Sequence, residues 1–142
     1  GWAALARATV LVNAGGSRRR ADVAADHMTE ARQLFEAHPG PAWWDPRWER
    51  GMQLMLYAAF LTPSAERVAE FEESERILRE CGDEAMLVTL YSQCGPLADV
   101  MGRDRVMELL ARGAVSTASP EWANACRATL ADLHQLAGEH AE

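Results

Sequence analysis

Few residue groupings in this sequence have the types and spacing for chemistry. The densest is Trp43-Trp44-Asp45-Pro46-Arg47-Trp48, three indoles within six residues, with Arg50 close behind. Indole rings combine a large rigid surface with a polar edge, which suits recognition of a ligand or partner. The plainer alternative makes Trp48 a core residue and uses Trp43 and Trp44 to pin a loop onto the preceding helix. His27 and His38 lie 11 residues apart, three helical turns, too far to share a metal ion. Cys126 and His134 are eight apart and could face the same way without touching. The chain holds no H-E-x-x-H, C-x-x-C or Glu-x-x-His arrangement, so no metal and no other cofactor is expected.

Three further groupings invite a chemical reading. Asp26 and Glu30, and likewise Glu66 and Glu70, sit one helical turn apart. Such carboxylate pairs do acid–base work when buried, but here they are expected on polar helix faces among Arg67, Arg76 and Arg79. Ser17-Arg18-Arg19-Arg20 follows Gly15-Gly16, yet a phosphate-binding loop needs a Lys and a preceding strand, and neither is present. Cys94 could be a reactive thiol, although no His lies near it in sequence to activate it. No catalytic residue emerges, and the chain is not expected to be an enzyme.

Composition narrows the partners. The 142 residues are enough for one domain with a real core, and 49% hydrophobic with 25% charged residues is ordinary for a globular protein. Fourteen basic against 21 acidic residues give a net charge of −7, the wrong sign for direct contact with nucleic acid. Residues 51–100 hold three Arg against nine acids, which reads as a solvated acidic face or an acidic docking surface. Three widely spaced cysteines, an odd number, fit free thiols in a reducing cytoplasm. The apolar run Trp2–Ala14 is too short to span a bilayer and has no basic region before it. The chain opens without Met, inside what reads as a helix, and is expected to be a single helical domain, 1–142, cut from a larger protein.

The elements that must position these residues are all helices, about seven of them. Apolar residues recur at steps of three and four, and strict alternation is absent. Trp2–Asn13 stops at Gly15-Gly16, and the next helix runs from Ser17 to Pro39-Gly40-Pro41. Asp45-Pro46, Thr62-Pro63 and Ser119-Pro120 are each a capping residue followed by proline, a helix-start signal. The helix 46–61 is apolar on most sides and belongs at the centre of the core. The helix from Thr62-Pro63 to Cys81 is expected to bury Ala65, Val68, Phe71, Leu78 and Cys81 and to show water its Glu and Arg residues. Asp83 starts the next helix, Gly95-Pro96 breaks or kinks it, and Arg103–Ser116 follows Gly102.

Short connections make neighbouring helices antiparallel, and they fall into pairs. Ala31-x-x-x-Phe35 and Ser74-x-x-x-Leu78, small and large residues one turn apart, recur 43 residues later in the second helix of a pair. A two-helix repeat of this length is the mark of an α-solenoid. Ala31-Arg-Gln-Leu-Phe35-Glu-Ala-His-Pro39, and Phe71 through the Gly82-Asp83 junction, resemble divergent tetratricopeptide-type repeats. Such repeats occur in large bacterial signal-transduction ATPases and LuxR-type regulators, those of actinomycetes especially, and the all-Arg, Ala-rich composition fits a high-GC genome. The resemblance implies a right-handed superhelix of helical hairpins that binds a protein partner, other domains of the parent chain, or a small effector. Trp43, Trp44, Arg47, Trp48, Met52, Met55 and Tyr91 are the candidate contact residues. The competing expectation is a closed bundle holding a hydrophobic small molecule among Trp48, Met52, Met55, Tyr91 and Trp122.

Overall fold

The computed structural model describes residues 46–141 continuously, together with residues 26, 27, 29, 30, 33, 34 and 37. Among the described residues all regular structure is helical. Six α-helices follow one another: α1 (Pro46–Phe60), α2 (Ala65–Glu80), α3 (Glu84–Ser92), α4 (Ala98–Met101), α5 (Arg103–Ala114) and α6 (Pro120–Ala141). A 3-10 turn, Gly95–Leu97, joins α3 to α4. The described residues between 26 and 37 are also helical, whereas the helix read at Trp2–Asn13, the Ala31–Phe35 pair and Trp43-Trp44 lie outside the described residues.

Pro46 and Pro120 each open a helix, as their fixed φ and missing amide proton allow. Thr62-Pro63 does not. The helix begins two residues later because Ser64, extended at φ −162° and ψ 169°, accepts a hydrogen bond from the Arg67 amide at 3.3 Å and becomes the cap. The other end of α2 closes on Gly82 at φ +72°, a conformation that favours glycine. The Gly82 amide donates to the Arg79 carbonyl and the Asp83 amide to the Leu78 carbonyl, both within 3.1 Å. At Gly95-Pro96 the chain tightens into the 3-10 turn, so α3 ends at Ser92 and the chain changes direction.

α1 and α2 are antiparallel and unusually close. Gly51, near the start of α1, lies against Ile77 and Leu78 near the end of α2, where a Cβ would sit 3.0 Å from Ile77 Cγ2. The Ser74 hydroxyl, fully buried, donates to the Gly51 carbonyl at 2.7 Å. A small residue at 74 is therefore what the crossing requires. α1 is buried on two sides. Met55 and Ala58 join the main core with Phe71, Leu78, Leu90, Val106, Leu109, Leu110 and Cys126, while Leu54 and Tyr57 meet Ile77 in a second cluster. Leu34, from the preceding helical stretch, packs on that second cluster.

The face of α2 differs from its sequence reading. Arg67, Glu70, Phe71, Ser74, Glu75, Ile77 and Leu78 are buried, whereas Ala65 is exposed and Val68 and Cys81 are only half-buried. The helix packs on α1 and on α3, so its buried arc is wider than one apolar stripe. The charged residues inside that arc are paired, which is what makes their burial tolerable. Arg67 meets Glu66 at 2.8 Å and Glu70 at 3.1 Å. Arg76, on the true outer face, bridges Glu73 and Glu80 at 2.6 Å each.

Candidate functional site

α3 packs against α2, α5 and α6. Where the end of α2, the length of α3 and the end of α5 meet, the surface opens into a cleft of about 360 Å³. Leu87, Val88 and Tyr91 of α3 form its apolar floor. Arg79 comes from the last turn of α2, Glu84 from the first turn of α3, and Arg112 from the last turn of α5, with Ser116 just beyond. The volume falls within the usual range of ligand pockets, roughly 300–1,000 Å³.

Under this floor lies a ring of polar side chains. The buried carboxylate of Glu75 accepts a hydrogen bond from the Tyr91 hydroxyl at 2.8 Å and another from Arg79 Nη2 at 2.8 Å. Arg79 Nη2 also donates to the Tyr91 oxygen at 3.1 Å, and Arg105 of α5 approaches the second carboxylate oxygen at 3.9 Å. The ring ties α2, α3 and α5 together beneath the cleft. Burial, helped by the bond to Glu75, pushes the Tyr91 phenol above its ordinary value. Tyr91 is thus a neutral donor already committed to a carboxylate, not a base or nucleophile. Arg112 is paired with Glu108, one turn back on its own helix. Among the described residues, neither Arg79 nor Arg112 has a protein acceptor at Nε or Nη1.

The thiols do not reach the cleft chemistry. Cys94 and Cys126 are fully buried, their sulfurs 3.9 Å and 3.8 Å from the Val106 and Val88 carbonyls. Burial pushes Cys94 up to about 12 and Cys126 up to about 11, so both stay protonated and Cys94 is not the reactive thiol its position before Gly95-Pro96 suggested. Cys126 points into the core while His134 is exposed, so the two do not share a face. His27 is half-buried and pairs with Glu30 at 3.3 Å rather than entering the core. Glu66 is exposed but its neighbour Glu70 is buried against Arg67, which corrects their placement on one polar face.

Of the candidate contact residues, Trp43 and Trp44 lie outside the described residues. Arg47 is exposed. Trp48 is half-buried, and its indole N–H donates to Asp83 Oδ2 at 2.8 Å, while Asp83 Oδ1 caps α3 by accepting from the Met86 amide at 3.0 Å. Met55 and Tyr91 belong to the main core, with Trp48, Met52 and Trp122 packed at its margin. Tyr91 alone among them also reaches the cleft. Nothing local in the sequence marks Arg79, Glu84, Leu87, Val88, Arg112 and Ser116 as site residues, because they belong to three separate helices that converge only in the fold. Among the described residues no group of His, Cys, Asp and Glu could hold a metal ion, and no helix is long and apolar enough to cross a membrane. Comparison with protein-family models, with curated proteins and with solved structures returned no match for the chain.

Proposed function

We propose that the chain is a non-catalytic interaction module: a tetratricopeptide-like superhelix of about seven helices within a cytoplasmic bacterial signalling or transcriptional regulator. It docks a segment of a partner protein, or of its own parent chain, in the cleft formed by α2, α3 and α5. The observation that carries this reading is the make-up of the cleft. Its floor is apolar, its rim holds both signs of charge, and the phenol that lines it is held neutral. Such a surface binds rather than reacts. The stacked-hairpin arrangement is supported by the close Gly51–Ser74 crossing, by the matching small–large pair 43 residues earlier, and by Leu34 layered on the α1–α2 cluster. The acidic balance of the chain favours a protein segment over nucleic acid.

A peptide library displayed on phage, selected on the purified chain and on its Ser116→Trp variant, tests the reading. Ser116 is half-exposed on the rim and follows the end of α5, so an indole there blocks the cleft without entering the core. Sequences enriched on the parent chain and lost on the variant are expected. Enrichment unaffected by Ser116→Trp would place the binding surface elsewhere.

A further inference from the structure

We infer that the cleft is selective for a single carboxylate carried on an apolar segment, an acidic side chain flanked by aliphatic residues. The inference rests on the docking role of the cleft and adds its chemistry. Two guanidinium groups from different helices, Arg79 and Arg112, line one cavity. Each is about half exposed, and each meets a carboxylate four residues earlier on its own helix through Nη2. The Arg112–Glu108 pair is exposed on both sides and weak, and Arg79, though tied to the buried Glu75, keeps Nε and Nη1 without a protein acceptor among the described residues, so a carboxylate in the cavity gains charge-assisted bonds from both guanidinium groups. Leu87, Val88 and Tyr91 line the same cavity and, although mostly buried, supply the apolar contact for the flanking side chains.

Glu84 decides how much negative charge is accepted. It lines the same cavity, is exposed at the start of α3, and makes no ion pair among the described residues. A second negative charge on the ligand would meet it without compensation, so a carboxylate is favoured over a phosphate dianion.

The test uses three capped peptides, acetyl-Leu-Glu-Leu-amide, acetyl-Leu-Gln-Leu-amide and acetyl-Leu-phosphoserine-Leu-amide, titrated into the chain with the Leu87 and Val88 methyl groups followed by NMR. The Glu peptide should bind about tenfold more tightly than the Gln peptide, and Arg112→Gln should erase that difference. Arg112 is chosen because it lies outside the ring around Glu75. Glu84→Gln should bring the phosphoserine peptide up to the affinity of the Glu peptide. Tighter binding of phosphoserine to the unaltered chain overturns the carboxylate assignment. Equal shifts with the Glu and Gln peptides overturn the charge selection but leave the docking cleft standing. Silence at both methyl groups with all three peptides removes the cleft as a site.

Discussion

Replacing Gly113 with alanine puts a methyl carbon 2.5 Å from Cys126 Sγ and 3.3 Å from Tyr91 Cβ. Carbon contacts of this kind settle at about 3.5–4.0 Å, so the sulfur must retreat by about 1 Å. It has nowhere to go, because Cys126 is completely buried and shares its core cluster with Val106, Leu109 and Leu110, which are buried just as fully. Overpacking of a tight core costs about 1–3 kcal/mol, and the better helix propensity of alanine returns about 0.5–1 kcal/mol. The net loss for Gly113→Ala is therefore centred on about 1 kcal/mol and reaches at most about 2.5 kcal/mol, the central value giving a fall of roughly 3–5 °C in the thermal midpoint. Cys126→Ala removes the obstructing atom, and the new methyl then meets residue 126 at a Cβ distance of 3.5 Å, an ordinary contact. The double variant should match or exceed Cys126→Ala alone in stability, a coupling of about 1–3 kcal/mol in a double-mutant cycle by urea denaturation. Simple additivity of the two changes would show that α5 and α6 do not meet where described and would refute the packing under the cleft.

Other outcomes follow from the same contacts. Ser74→Ala removes the buried bond to the Gly51 carbonyl and should cost about 1 kcal/mol in a urea titration, whereas Ser74→Leu should block the α1–α2 crossing and lose far more. Asp83→Ala loses both the cap on α3 and the acceptor of the Trp48 indole, so about 1–3 kcal/mol is expected, against about 1 kcal/mol for Trp48→Phe, which loses the indole bond alone. Folding stability should decline in alkali. The thiols of Cys94 and Cys126 ionise near 9.0 when unfolded but only at about 12 and about 11 when folded, so their contribution is complete below pH 9 and is lost as pH climbs through those higher values. Tyr91 acts in the same direction. A Cys94→Ala, Cys126→Ala double variant should show a flatter decline between pH 9 and 11 by circular dichroism.

The helices were legible in the sequence wherever their ends are made by local chemistry. Pro46, Asp83, Gly82, Gly102 and Pro120 each act within a few residues of themselves, and each sits at the boundary read for it. Ser64 shows the limit of this reasoning: two hydroxyl residues, Thr62 and Ser64, could cap α2, and only the backbone geometry selects one. The buried face of α2 was not legible, because charge alone says exposed. Glu75 is buried on account of Tyr91, 16 residues on, and Arg105, 30 residues on, and no local pattern links those three. The cleft was missed for the same reason. Its walls are ordinary surface residues that become a site only when the ends of α2 and α5 come together across α3.

Asp83 receives the indole of α1, terminates α2 through its amide and starts α3 through its carboxylate. One residue thereby fastens three helix ends, and α1, α2 and the head of α3 must travel as a unit. Across the cleft, α5 is preceded by Gly102 at φ +99° and by the four-residue α4. Beyond that glycine α5 is anchored by Val106, Leu109 and Leu110 in the main core and by Gly113 against Cys126 of α6, so both walls of the groove rest on one shared interior.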